Sequence, residues 1–327
     1  MKQKIVRLSA VIGVVLFGFI VYKIGPAQIW GNIKKLTVLN FTILMLLRLL
    51  YWILRTINWK VILEQYEKKV SLWELFVARM TSHTVSQLFP SAQVGGEAAR
   101  IFMVHTSNKR ISIASVIVDK TIEFLSVLIF TIFAVGFIFL KVNMSPGLRT
   151  LFIVFEVSFL LLVAFMLIKQ KHGLITWVVD LFARIRIRPK FLEKHRDKIK
   201  ETDDHIADFY LNHRKTFVQV LFLYSLLIML WVAEVYLTIV YLGGKDVSFM
   251  DSFLITVLGN LAFMFPFVPG MLGVYEATYI LVFAMLGKKT GVAFSLVLMR
   301  RIIALLWAGI GLLGMMKSIP GKRTKSI

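Results

Sequence analysis

The amino-acid sequence predicts an all-α, polytopic integral membrane protein: an inverted repeat with two Pro/Gly-broken, re-entrant-like hairpins. Three observations predict it. Of 327 residues, 58% are hydrophobic and 17% charged, and the apolar ones fall in runs such as Leu8–Val21, Val127–Leu140 and Leu151–Ile168. Apolar runs approaching about 18 residues indicate bilayer spans, which excludes a soluble protein. Two further apolar regions are interrupted midway by proline and glycine. Those interruptions, and the spans around them, recur at a fixed spacing.

The elements follow in chain order. Basic Met1–Arg7 leads into a first span at 5–24, followed by Tyr22-Lys-Ile-Gly-Pro26 and no small-residue cleavage site. The stretch reads as an uncleaved span, not a signal peptide. Further spans are expected at 39–57, 111–140, 149–168, 216–242 and 290–316. Regions 72–105 and 248–287 are broken by Phe89-Pro-Ser-Ala-Gln-Val-Gly-Gly-Glu97-Ala-Ala-Arg100 and by Phe265-Pro-Phe-Val-Pro269-Gly-Met-Leu-Gly-Val-Tyr-Glu276-Ala-Thr278. Proline removes a backbone donor and clashes with the preceding turn, so neither region is one continuous helix. Pro90 and Glu97 are seven apart, as are Pro269 and Glu276, and an offset of 179 carries one Glu onto the other. The chain therefore reads as a single transmembrane domain, 1–327, with a first repeat at 1–140 and a second at 149–316.

Charge sets the expected orientation. The net charge is +21. With a cytoplasmic N-terminus, segments 1–7, 55–71, 100–110, 169–215 and 317–327 lie inside and carry 26 of the 39 Lys/Arg. The positive-inside rule thus predicts a multi-pass protein of the cytoplasmic membrane with both termini cytoplasmic. The same parity inverts the two halves relative to one another. Such inversion, with matched broken segments, is the sequence signature of a transporter whose breaks line a cavity. Residues 169–215 are expected as a basic cytoplasmic connector within the second repeat, holding 12 Lys/Arg and seven Asp/Glu. Two readings stand for it: contact with anionic leaflet headgroups, or a solvated linker that enforces topology.

Ionisable groups within spans cost about 2.5–3.5 kcal/mol each by insertion scales, so each requires a reason. They are Arg48, Glu97, Asp119, Lys120 and Glu123, then Glu156, then Glu234, Glu276, Arg300 and Arg301. Lys120 and Arg300 are 180 apart, so each half offers a break glutamate and a base on the following span. A helix that resumes after each break presents unpaired N–H groups and a positive dipole end, suited to phosphate or carboxylate. Ser91 is placed to cap the first such helix; Gly270 and Gly273, just after the Pro269 break, let backbone approach at the second. With Gly96, Arg100, Asp119 and Glu123 these form the candidate substrate-binding set. The competing reading makes Glu97–Lys120 and Glu276–Arg300 structural bridges, with Asp119 and Glu123 neutralising basic neighbours on one helix face.

No nucleophile-elbow, zinc-protease, phosphate-loop or dinucleotide motif occurs, and the chain has no cysteine. Asp203-Asp-His205-x-x-Asp208 has metal-like composition, but its charged surroundings point to a solvated helix face. No catalytic residue, metal or cofactor is expected, and nucleic acid is not an expected partner.

Phe89-Pro with Gly96-Glu97-x-x-Arg100, then Val118-Asp-Lys-x-x-Glu123, resembles the family of lysylphosphatidylglycerol synthase transmembrane regions. Pro269-Gly-x-x-Gly-Val-x-Glu276-Ala and Arg300-Arg301 resemble that family's second signature, and the similarity runs along nearly the whole chain. Two departures stand out. The first break is longer than the family's usual Pro-Gly-x-x-Gly-Glu, and Asp119-Lys120 stands where Glu-Arg is more usual. The resemblance implies a lipid-translocating module, with a flippase domain standing alone because no lysyltransferase domain follows the last span. On that expectation the protein is not an enzyme.

The function expected is flipping, or facilitated translocation, of a phosphate-bearing lipid, either an aminoacylated phospholipid or a polyprenyl-phosphate-linked one. Its implied partners are that lipid, anionic headgroups, and a separate synthase or glycosyltransferase. The alternatives are a membrane component of lipid-linked glycosylation and a small-solute secondary transporter.

Overall fold

The computed structural model describes residues 34–88, 94–184, 195–261 and 274–318. Among the described residues there are eleven helices and no strand. They are α1 (Val38–Leu63), α2 (Leu72–Leu88), α3 (Val94–Met103), α4 (Lys109–Lys141), α5 (Pro146–Gln170) and α6 (Leu174–Arg184). After these come α7 (Arg196–Asn212), α8 (Arg214–Tyr241), α9 (Phe249–Gly259), α10 (Val274–Met285) and α11 (Thr290–Ser318). Helices α1, α4, α5, α8 and α11 are long and apolar enough to cross a membrane. The chain is a polytopic, all-helical membrane protein. These five match five of the expected spans; the span expected at 5–24 lies outside the described residues.

Both broken regions are pairs of shorter helices, α2/α3 and α9/α10. At 10–12 residues, α3, α9 and α10 are each too short to cross a bilayer alone. The offset of 179 carries the starts of α1 to α4 to within three residues of the starts of α8 to α11. Local sequence sets several ends. Asn108 accepts from the Arg110 amide to open α4, and Ser145, with Pro146 behind it, opens α5. Ser248 and Asp251 form a reciprocal capping box at α9. Gly243, at φ 92°, closes α8 in the left-handed conformation that a side chain resists.

The chain divides into two compact units. Unit 1 takes residues up to Trp52, Trp73–Met103 and everything from Val232; unit 2 takes Ile53–Leu72 and Val104–Trp231.

In unit 1, glycines set how closely helices approach. A Cβ on Gly96 of α3 would strike the Ser82 carbonyl and the Ser86 hydroxyl of α2. A Cβ on Gly259 of α9 would lie 2.6 Å from the Tyr279 ring of α10. Each hairpin therefore closes over a glycine. At Gly311 of α11 an added Cβ would sit 2.6 Å from the Met80 carbonyl of α2. The same crossing is pinned by Thr84 Oγ1 donating to the Ala308 carbonyl at 2.9 Å, with the His83 ring 3.3 Å from the Ala304 carbonyl.

Unit 2 is organised on α4, which packs against α5 and α7, while α7 also holds α6. Trp59 of α1, fully buried, donates from Nε1 to Ser115 of α4 at 3.1 Å. Gln170, fully buried at the end of α5, donates to Thr121 of α4 and accepts from Tyr210 of α7, both at 2.7 Å. Within 169–215 most of the described residues form α6 and α7. Helix α7 buries the stripe Thr202, Asp203, Ile206, Phe209 and Tyr210. Asp203 accepts from the Ile175 and Thr176 amides and from the Thr176 hydroxyl, so it caps α6 from another helix. By contrast α6 has no buried residue, and Leu181 and Phe182 are exposed on it.

Candidate functional site

The polar residues of unit 1 gather where α10 and α11 meet α1 and α8. Glu276 stands in the first turn of α10, with Tyr275 beside it and Tyr279 one turn on. Arg300 and Arg301 lie about 15 Å into α11 by helical rise. Arg301 Nε donates to Glu276 Oε1 at 2.5 Å. Arg300, 8% exposed, donates from Nη1 to the Tyr279 hydroxyl, which in turn donates to Asn260 Oδ1 at 3.2 Å. Its guanidinium lies 5.7 Å from the Tyr275 ring centre and 5.3 Å from that of Tyr279. Arg48 of α1 donates to Glu234 of α8 at 2.6 Å and lies 5.1 Å from the Tyr51 ring. Glu234 and Tyr51 are within electrostatic range of Arg300. Three guanidinium groups and two carboxylates therefore share one largely buried region. Elsewhere in unit 1, Glu97 and Arg100 in α3 form an ion pair one turn apart, with Arg100 fully buried.

Unit 2 holds Asp119, Lys120 and Glu123 in a balanced network with Arg55. Arg55 Nη2 donates to both carboxylate oxygens of Glu123 at 2.7 Å, and Lys120 donates to Glu123 at 3.0 Å. Asp119, fully buried, accepts from the Tyr224 hydroxyl at 2.6 Å. At the end of α1, Tyr66 donates to Asp208 of α7 at 2.8 Å, and His213 lies 3.4 Å from the same carboxylate. Burial, then Asp208, push the Tyr66 phenol far above its ordinary range. Burial raises the Asp208 carboxyl, but hydrogen bonds from Asn212 and Tyr66 and the charge of His213 outweigh it and hold it below the usual range.

Of the thirteen residues chosen from sequence, Ser91, Pro269, Gly270 and Gly273 lie outside the described residues. Gly96, Glu97, Arg100, Glu276, Arg300 and Arg301 belong to unit 1; Asp119, Lys120 and Glu123 belong to unit 2. Glu276 is paired with Arg301, and Arg300 is bonded to Tyr279. Both guanidinium groups lie 5.7 Å from the ring centre of Tyr275 in the α10 first turn. In the first half Glu97 pairs with Arg100, and Lys120 pairs with Glu123, which Arg55 also holds. Gly96 serves the close packing of α3 on α2.

Sequence reasoning missed Tyr275, Tyr279 and Asn260 as members of the cluster, and Arg55 as the base on Glu123. It had marked Arg48 and Glu234 as costly charges without pairing them, since they are 186 residues apart. Among the described residues no three His, Cys, Asp or Glu side chains converge in a metal-ligand arrangement. Asp203 is occupied in capping α6, and Asp208 in holding Tyr66.

A family model described as the lysylphosphatidylglycerol synthase TM region matches residues 6–312, and the chain belongs to that family. A UPF0104 membrane protein of Pyrococcus horikoshii is 25% identical over 321 residues, covering 91% of this chain and 92% of the relative. A second UPF0104 membrane protein, from Methanothermobacter thermautotrophicus, is 23% identical over 303 residues, covering 90% and 89%.

Proposed function

We propose that this member of the lysylphosphatidylglycerol synthase transmembrane-region family facilitates translocation of a phosphate-bearing membrane lipid and performs no chemical conversion itself. The family is associated with lipid-flippase-like function. The observation that carries the reading is the cation-rich cluster of Arg48, Arg300 and Arg301 in unit 1. Three guanidinium groups, Arg300 buried and Arg48 and Arg301 largely so, beside two carboxylates are costly in a bilayer, and an anionic headgroup offsets that cost. Guanidinium forks match phosphate oxygens bidentately. The helix start at Val274, with Glu276 orienting Arg301, adds further N–H donors on the same side. The lipid is an aminoacylated phospholipid or a polyprenyl-phosphate-linked one. A separate synthase or glycosyltransferase supplies it. The protein sits in the cytoplasmic membrane, its halves inverted and both termini cytoplasmic.

The test is translocation of fluorescent phosphatidylglycerol, its lysyl derivative and a polyprenyl-phosphate sugar in proteoliposomes. Arg300→Ala and Glu276→Gln run beside the parent. Headgroup-selective movement, lost in both variants, is the expected result. No movement above empty vesicles, with insertion verified, overturns the reading in favour of a partner-dependent role in lipid-linked glycosylation.

A further inference from the structure

Helix α5 has the highest mean hydropathy, 2.8, of the five span-length helices among the described residues, and it is mostly turned outward. Its buried positions are Glu156, Phe159, Val163 and Gln170, a narrow stripe. The α4 helix packs along this helix. A carboxyl group thus lies inside the seam between two spanning helices, about 15 Å from the start of α5 and about 21 Å from its end.

The donors around it do not suit a carboxylate. Glu156 Oε1 is buried and has no hydrogen-bond partner among the described residues. Oε2 lies 3.4 Å from Thr131 Oγ1, whose own proton is engaged with the Leu128 carbonyl at 2.9 Å. A hydroxyl has one proton to give. The contact is therefore best made with Glu156 as donor, that is, as a neutral carboxylic acid giving its O–H to Thr131. No other ionisable side chain lies on α4 between Phe124 and Ile138, or on α5 between Thr150 and Ala164. Helices α6 and α7 meet α5 through Phe165, Lys169 and Gln170, so Asp180, Arg184 and Asp208 belong to that distant end. The other acids within unit 2 spans, Asp119 and Glu123, have a phenol or a base beside them. An ionised Glu156 would be an uncompensated charge in the seam between two spanning helices.

We propose that Glu156 is a membrane-interior proton site, neutral in this arrangement, which releases its proton to water when the seam opens. The short turn between Lys141 and Pro146 closes one end of the seam and the Gln170 bridge clamps the other, so opening requires that bridge to release. On the translocation reading above, on which this second step rests, the proton exchange couples lipid movement to a transmembrane pH gradient.

Two measurements on the full-length protein test it. Infrared spectroscopy in nanodiscs should show a protonated carboxyl band at neutral pH. The band should vanish in Glu156→Gln, which keeps the side chain's shape, and shift in Thr131→Val, which removes the proton's acceptor. A parent spectrum indistinguishable from that of Glu156→Gln overturns the proton site itself. In proteoliposomes, a gradient of about one pH unit should bias lipid accumulation up to about tenfold per proton carried. Glu156→Gln should still equilibrate lipid but ignore the gradient. Equal gradient response in parent and variant overturns the coupling. A parent that moves no lipid at all overturns the translocation reading instead, and the infrared difference alone then decides the proton site.

Discussion

The two units bury charge in opposite ways. Unit 2 closes its account internally: Glu123 is held by Arg55 and Lys120, and Asp119 by the Tyr224 hydroxyl. Unit 1 stacks Arg300 and Arg301 on tyrosine rings, with Arg48, Glu234 and Glu276 beside them. A balanced network holds helices together and needs nothing from outside. On the translocation reading, a cation-rich one, cushioned by ring faces and phenol oxygens, is the set that meets an anion. On that reading, charges of similar appearance in sequence divide into a structural set and a binding set.

That division can be broken or sharpened by substitution. The largest expected effect is on stability in unit 2. Glu123→Ala leaves Arg55 and Lys120 facing each other without a carboxylate and should cost about 3–5 kcal/mol. Thermal melting in detergent reads it, and a melt unchanged from the parent would remove the structural assignment. Next comes Arg300→Lys, which keeps charge but loses the planar fork. Charge-assisted hydrogen bonds are worth about 1.5–3 kcal/mol, so translocation should fall about 10–100-fold while melting stays near the parent. Loss of stability with translocation intact would place Arg300 with the structural set. Asp203→Ala removes the α6 cap, with an expected cost of about 1 kcal/mol. Faster amide hydrogen exchange at Ile175 and Thr176, with the spanning helices unaffected, is the reading to look for.

The smallest effect is pH-dependent. The Asp208 carboxyl lies below its ordinary value of about 3.9, so its contribution is present above that value and lost as pH falls through the lowered one. The parent should therefore exceed Asp208→Asn in stability at neutral pH, and the gap should close below about pH 4. A gap constant across that window would show that the Tyr66 contact does not depend on the carboxylate.

How much of this the sequence allowed depends on range. Span-length helices follow from local composition, and α1, α4, α5, α8 and α11 were expected within a few residues of their observed bounds. The helices flanking the two breaks follow from proline chemistry, which is also local. Pairings do not. Arg48 and Glu234 each looked anomalous alone, but only the packing of α1 beside α8 joins them. The choice between Arg300 and Arg301 for Glu276 rests on helix rotation, which composition does not encode. Tyr275 and Tyr279 carry no signal of their own, because a tyrosine beneath an arginine is recognisable only once the arginine is placed. The stripe Thr202, Asp203, Ile206, Phe209 and Tyr210 did carry a helical period. It was obscured by the surrounding charge of 169–215, which pointed to a solvated segment.

The crossing of α2 and α11 has a mechanical consequence. At Gly311 the α11 backbone lies against the Met80 carbonyl and the Thr84 hydroxyl, and Thr84 and His83 hold the Ala308 and Ala304 carbonyls beside it. Such a joint resists approach and sliding, and its two contacts a turn apart also resist swivel. Arg301 lies ten residues from Gly311 on the same helix, a lever of about 15 Å. A swivel of about four degrees would displace the guanidinium by about one ångström, enough to make or break a hydrogen bond, so the joint fixes the angle on which the Arg301 pairing depends.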